Sequence, residues 1–186
     1  MGMPDTARRY TVDEVLAFPN DGNRYELVDG ELLVTPAPTM FHQVVLARMH
    51  AALHGYLSSR ADVVALFSPA DITWDREKLV QPDLFVIPAA EVSKSWTTVR
   101  TLLLAVEVLS PSSARGDRLV KRRLYQRQRV ATYWIVDPNA RLVEVWRPDD
   151  ERPEIVTDVL RWRVAPDAAD AAIDLAALFA GLPDQG

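Results

Sequence analysis

Two stretches, Gln81-Pro82-Asp83-Leu84-Phe85-Val86-Ile87 and Leu102-Leu103-Leu104-Ala105-Val106-Glu107-Val108-Leu109, decide how this chain folds. Each is an apolar run of strand length interrupted by a single acid. Such runs read as strands buried on both faces, as at the centre of a sheet. Side chains alternate along a strand, so Asp83 shares a face with Phe85 and Ile87, and Glu107 with Leu103, Ala105 and Leu109. A carboxylate there is costly unless it is paired or holds a cation. If the strands are neighbours, the two acids meet at one end of the sheet, where charges ~5 Å apart repel by about 3 kcal/mol at an effective dielectric of 20. A divalent cation reverses that sign. Oxygen donors without a thiolate favour Mg²⁺, Mn²⁺ or Ca²⁺ over zinc. Each acid also has a plainer reading: Asp83 as a turn residue after Pro82, and Glu107 as half of a buried ion pair with an arginine.

Working outward, Thr11 is an N-cap for a short helix from Val12 to Leu16, with Glu14 at the reciprocal capping-box position. Tyr25–Val28 and Glu31–Val34 flank Asp29-Gly30, a two-residue hairpin turn whose central positions both need φ > 0. Phe41 to Leu57 reads as a long helix with Val44, Val45, Met49, Ala52, Leu53 and Tyr56 as its apolar stripe. Strands are expected at Val63–Phe67 and Asp71–Trp74, then the Asp83 strand, a polar connector from Ala89 to Arg100, and the Glu107 strand. Ser110-Pro111-Ser112-Ser113 ends that strand and offers a hydroxyl cap to a helix reaching about Gln128. Thr132–Val136 and Arg141–Trp146 form a second hairpin across Asp137-Pro138-Asn139-Ala140. A strand near Ile155-Val156 and a short helix after Asp174 close the chain. The order predicts a mixed α/β layer fold, a single domain over residues 10–180 with flexible termini at 1–9 and 181–186.

In the helix after Glu107, Asp117, Lys121 and Tyr125 recur every four positions and stack along one stripe. Lys121 falls between the apolar side and a basic side carrying Arg118 and Arg122. An ammonium there can reach a phosphate or orient an attacking water. It can equally be half of an Asp117–Lys121 surface pair worth about 0.3–0.5 kcal/mol. From Arg115 to Arg129 the chain carries seven basic residues and one acid, although the whole protein has a net charge of −5. That concentration suits phosphate contact and also suits a solvated helix face.

The ordered set Pro82-Asp83, Glu107-Val108-Leu109-Ser110-Pro111-Ser112, Asp117, Lys121, Tyr125 and Tyr133-Trp134-Ile135-Val136-Asp137-Pro138 resembles the Uma-two family of endonucleases, within the PD-(D/E)XK nuclease superfamily. Tyr25-Glu26-Leu27-Val28-Asp29-Gly30-Glu31-Leu32 and Pro36-Ala37-Pro38 followed by His42-Gln43 also look like that family. The resemblance implies a restriction-endonuclease-like core, a mixed central sheet flanked by helices, with the first hairpin as an N-terminal extension. It implies Asp83 and Glu107 as ligands of Mg²⁺ or Mn²⁺, with Glu26 and the Val108 carbonyl as further ligands. Where the superfamily places its lysine, two residues after the acid, this chain has Leu109, and Lys121 looks like its replacement from the next helix. Asp117, Tyr125 and His42 would support the site, and Arg118 and Arg122 would contact nucleic acid. Arg129-Val130-Ala131-Thr132 departs from relatives, which usually have a glycine and a glutamate there.

Other chemistries find less support. His50 and His54 stand one helical turn apart, but the Glu of a His-Glu-x-x-His zinc site is missing and cysteine is absent. There is no Gly-x-Ser-x-Gly elbow and no Walker or dinucleotide glycine pattern. The five tryptophans read as core or interface residues. No apolar run approaches the roughly 18–20 residues of a membrane span, and the N-terminal stretch has no signal-peptide core. Absence of cysteine fits a cytoplasmic protein. Two functions are therefore expected: a metal-dependent endonuclease acting on DNA, plausible as a homodimer because duplex cleavage calls for two sites, or a non-catalytic nucleic-acid-binding or assembly module that keeps the fold.

Overall fold

The structure is a computed structural model that describes residues 8–182; of the flexible termini expected at 1–9 and 181–186, residues 1–7 and 183–186 lie outside the described residues. Its centre is a six-stranded mixed sheet. In chain order the helices are α1 (Val12–Leu16), α2 (Met40–Leu57), α3 (Arg122–Arg127) and α4 (Leu175–Leu178). The strands are β1 (Arg24–Val28), β2 (Glu31–Thr35), β3 (Val63–Phe67), β4 (Ile72–Asp75), β5 (Lys78–Val80), β6 (Leu84–Pro88), β7 (Leu104–Val108), β8 (Tyr133–Asp137), β9 (Leu142–Trp146), β10 (Glu154–Val156), β11 (Val159–Trp162) and β12 (Ala171–Asp174). The central order is β10-β9-β8-β7-β6-β3, beside a four-stranded sheet β2-β1-β5-β4 and a small β11-β12 ribbon. Every neighbouring pair in the central sheet is antiparallel except β7–β8. A parallel pair requires a crossover, and the helical segment between Glu107 and β8 supplies it.

The two acidic strands are adjacent. Leu84 pairs with Val106 and Phe85 with Ala105, so one step further along, Asp83 stands opposite Glu107 on the same face. One face of the sheet, with Leu84, Val86, Leu104, Val106 and Trp134, packs on Val45, Met49, Leu53 and Leu57 of α2. The other, with Phe85, Ile87, Ala105 and Ile135, packs on Leu124 and Tyr125 of α3 and on Val28, Ile72 and Val80 of the second sheet. The carboxylates are on this second face, beneath the crossover helix and against the first hairpin's sheet.

The caps form as their residues dictate. Thr11 and Glu14 make the reciprocal capping box, and Thr39 caps α2 one residue earlier than the periodicity suggests. Asp29 and Gly30 take φ of 50° and 80°, the left-handed pair a tight hairpin needs. Arg129 also takes a left-handed φ of 56°. The amides of Arg129 and Val130 bond back to Gln126 and Tyr125, so Arg129 is the C′ residue of a Schellman cap that glycine normally fills.

Three elements differ from expectation. Strand β5 and the β11–β12 ribbon were not anticipated. The helix after Glu107 has its serine cap, with Ser110 Oγ accepting from the Ser113 amide at 3.3 Å, but it does not run regularly: residues Gly116–Lys121 form a π-helical turn, with the Arg122 amide bonded to the Asp117 carbonyl, before α3 resumes. The extra residue in that wide turn holds Asp117 and Lys121 against the buried acids. At the chain ends, Arg9 bonds to the Asp29 carbonyl and to Glu77, and Leu182 packs against the core.

Candidate active site

Around Asp83 and Glu107 the fold buries a compact cluster of charge. Glu26, Asp83, Glu107, Asp117 and Lys121 are each no more than 3% exposed, with His42 at 6%. Asp83 is approached from three sides. Arg24 Nη1 lies 2.7 Å from Oδ1, His42 Nε2 lies 2.9 Å from Oδ2, and the Val108 amide donates to Oδ2 at 2.8 Å. His42 is the first buried position of the α2 stripe that continues through Val45 and Met49, which is how the helix delivers it. The buried Nδ1 of His42 has no hydrogen-bond partner among the described residues.

Lys121 is the hub of the other half. Its Nζ lies 2.8 Å from Glu26 Oε2, 3.0 Å from Glu107 Oε1 and 3.0 Å from Asp117 Oδ1. Tyr125, one turn further, donates to Glu107 Oε1 at 3.1 Å, and Tyr133 donates to the Asp117 carbonyl at 3.3 Å. The stripe Asp117–Lys121–Tyr125 faces inward rather than forming an exposed pair, two arrangements its spacing alone left open. Glu26, implied as a further metal ligand, has both oxygens engaged: Oε2 by Lys121 and Oε1 by the Gln81 amide at 2.8 Å.

Charge does not balance in this cluster. Four buried carboxylates face two fixed cations, Arg24 and Lys121, and one histidine. Burial pushes the Glu107 carboxyl well above the usual carboxylate range; Lys121 opposes the shift, and Asp83, Asp117 and Glu26 add to it. We place Glu107 high because one ammonium is shared among three carboxylates and cannot neutralise each. For Asp83, burial acts upward too, but the His42 hydrogen bond and the charges of Arg24, His42 and Lys121 outweigh it and hold the carboxyl low. Burial acts to lower Lys121, yet Asp117, Glu107 and Glu26 hold its ammonium well above the ordinary range. Burial beside Glu107 keeps the Tyr125 phenol protonated far beyond its usual range.

Sequence reasoning missed Arg24. It begins β1, donates to the Gln81 carbonyl at 3.1 Å, and reaches between the two strands to lie 3.9 Å from Glu107 Oε2 as well as 2.7 Å from Asp83 Oδ1. Among the described residues, no three His, Cys, Asp or Glu side chains converge as a ready-formed metal set. Hard oxygen donors and surplus negative charge fit a divalent cation in kind; a guanidinium bridges the two acids in this arrangement. The cavity at the cluster is only about 20 Å³, near the ~10–15 Å³ that a single water requires.

A wider groove of about 410 Å³ runs between β2 and the crossover helix, sharing Thr35, Ser113, Asp117 and Lys121 with the small cavity. Arg115 and Arg123 line it, both exposed. The arginines expected to touch nucleic acid are engaged with protein. Arg118 pairs with Asp137 at 2.8 Å and Glu144 at 2.6 Å. Arg122 stacks over Trp146 and bonds to Gln126. His50 and His54 stack on each other, with His50 edge-on to Phe67, and among the described residues they belong to no group of three metal-ligating side chains.

Paired acids at the ends of neighbouring central strands, with a lysine brought over them by the crossover helix of a mixed sheet, place the chain in the restriction-endonuclease-like fold class. A family model described as "Putative restriction endonuclease", Uma2, matches residues 12–175, and the chain belongs to that family. The crystal structure of a putative nuclease belonging to DUF820 from Anabaena variabilis ATCC 29413 has the same fold. Its TM-score is 0.75 at 18% identity, over 91% of this chain and 97% of that one. Among curated proteins no match is found. No helix among the described residues is long and apolar enough to cross a membrane.

Proposed function

We propose that this protein is a Mg²⁺- or Mn²⁺-dependent endonuclease that hydrolyses phosphodiester bonds in DNA. The observation that carries the reading is the buried surplus of carboxylate at the junction of β6 and β7, with one lysine held beside it by three acids. Asp83, Glu107 and the Val108 carbonyl would hold the cation. The chemistry supplied with a metal in place is Lewis-acid stabilisation of phosphoryl charge and a lowered pKa for water.

The chain's own residues do the rest. Lys121 is fixed by Glu26 and Asp117 so that its ammonium faces charge developing on the phosphate as the P–O bond breaks. Tyr125 holds Glu107 in place, and His42 with the Val108 amide holds Asp83. In this reading Glu26 orients the lysine rather than binding metal. The adjoining groove would carry the nucleic-acid backbone, with Arg115 and Arg123 on the phosphates in preference to the committed Arg118 and Arg122. A two-fold homodimer would supply the two sites that duplex cleavage needs.

The test is cleavage of supercoiled plasmid and of single-stranded DNA with added Mg²⁺ or Mn²⁺. Wild type cuts; Asp83→Asn and Glu107→Gln, folded by circular dichroism, do not. Activity that persists in both variants rejects the assignment. One observation favours a non-catalytic module instead, namely the guanidinium lodged between the acids. Tight DNA binding with no metal-dependent turnover would support that alternative.

A further inference from the structure

We propose that Arg24 is an exchangeable internal counter-ion: its guanidinium bridges Asp83 and Glu107 and must leave before a divalent cation can occupy that position. The inference rests on the metal-dependent reading above and assigns Arg24 a role in it. Three observations converge. Arg24 Nη1 is 2.7 Å from Asp83 Oδ1 and 3.9 Å from Glu107 Oε2, so one cationic group faces both acids. The remaining oxygens are occupied: Asp83 Oδ2 by His42 and the Val108 amide, Glu107 Oε1 by Lys121 and Tyr125. The cavity that Arg24 lines measures about 20 Å³, so neither a hydrated ion nor a phosphate enters while the guanidinium is seated.

The fold allows the side chain to leave. Arg24 is the first residue of β1 and pairs with Thr35 at the open end of the hairpin. Residues 19–23 before it are exposed, with Gly22 at φ 87°. Its side chain is 18% exposed, in contrast to 4% for Lys121. Its outward neighbours are Thr35, Pro36 and Pro38 on the rim of the cavity. Lys121 by comparison is locked by three carboxylates deep under the helix. Of the cluster's two permanent cations, Arg24 is therefore the one positioned to be displaced, and exchanging one positive charge for two reduces the surplus negative charge of the cluster.

If the seated form dominates, only a small fraction of molecules is ready for metal, and the apparent dissociation constant rises by the inverse of that fraction. Arg24→Gln abolishes the competition. Mn²⁺ binding, followed by the loss of the free-ion electron paramagnetic resonance signal, should tighten by at least about ten-fold in Arg24→Gln. Arg24→Lys, with a shorter point charge, should fall between. In EDTA, Arg24→Gln should melt below wild type.

A second measurement reads the wild-type chain itself and uses a substituted chain only to identify one signal. With ¹⁵N-arginine labelling, the Arg24 side-chain N–H signal, identified by its absence from Arg24→Lys or from any folded Arg24 substitution, should shift as diamagnetic Mg²⁺ saturates the site. An unmoved Arg24 signal at saturating Mg²⁺, or equal Mn²⁺ affinity in wild type and Arg24→Gln, overturns the exchange while leaving the metal site standing. Mn²⁺ binding that is absent from both chains, or unaffected by Asp83→Asn, overturns the metal-dependent reading and this inference with it.

Discussion

Glu107→Gln isolates the electrostatic problem of the cluster. The substitution keeps the shape of the side chain and an oxygen to accept from Tyr125 and Lys121, and it removes a buried group that titrates. In the wild-type folded state the Glu107 pKa is raised by burial and by three neighbouring acids, while in the unfolded chain it is near ~4.3. A raised folded pKa contributes stability that is fully present below the unfolded pKa and is lost as pH rises toward the folded one. Between those limits the folded state holds a proton that the unfolded state has released. Stability therefore falls by up to about 1.4 kcal/mol per pH unit. Glutamine has no such slope. Without metal, the stability of Glu107→Gln relative to wild type should rise by as much as about 2.7 kcal/mol from pH 5 to pH 7. Asp83 titrates below this window and Lys121 above it, and groups remote from the cluster cancel in the difference. Urea denaturation in EDTA at pH 5, 6 and 7 reads the gap directly. A gap that stays flat shows Glu107 ionised in the folded protein like a free carboxylate and refutes the charge accounting. Saturating Mn²⁺ should then shift the difference back toward wild type. A ligand at 100 times its Kd adds about 2.7 kcal/mol to wild type, and Glu107→Gln should gain far less.

Lys121→Met removes the cation shared by Glu26, Glu107 and Asp117 and should cost about 3–5 kcal/mol in urea denaturation; a loss below about 1 kcal/mol would show that the three acids do not depend on it. Arg118→Ala leaves the nearly buried Glu144 without its guanidinium and should cost about 1–3 kcal/mol, with little change in DNA affinity by fluorescence anisotropy. A large fall in affinity with stability intact would return Arg118 to the phosphates. Arg129→Gly should stay within about 1 kcal/mol of wild type by thermal melting. It relieves a left-handed φ costing about 1–2 kcal/mol, and it gives up an exposed Asp149 pair worth about 0–1 kcal/mol and some backbone entropy.

The centre of the fold was legible because its signals are local. β6 and β7 announce themselves by apolar runs, and the first hairpin by Asp29-Gly30, which only a left-handed turn explains. Strand alternation sets the face of each acid within its own strand, and helical spacing puts Asp117, Lys121 and Tyr125 on one stripe, but the strand neighbourhood and the direction the stripe faces are decided by tertiary packing. What escaped was short or tertiary. β5 has three residues and no room for a period, and β11 alternates over only four, from Val159 to Trp162. The π-helical turn has no signature in Gly116–Lys121 taken alone, since side chains bound to distant acids hold it open. Arg24 in Asn23-Arg24-Tyr25 looks like any surface arginine, and its partner Asp83 is far along the chain. The plain reading of a buried acid paired with an arginine and the reading of a cation site thus describe the same place.

The π-helical turn has a consequence for how this chain tolerates insertion and deletion. It stores one residue beyond what an α-helix of the same span needs, so losing one residue from 116–121 lets the backbone close into ordinary α-helix without breaking the crossover. The fold would absorb that loss with the flanking helical parts still in register, but a residue lost between Asp117 and Lys121 turns these two by about 100° against each other. Asp117 and Lys121 would fall out of step with the sheet beneath them. The turn acts as a length adjuster in which foldability and chemistry are uncoupled: a deletion variant can remain a well-packed protein while its lysine no longer faces Glu107.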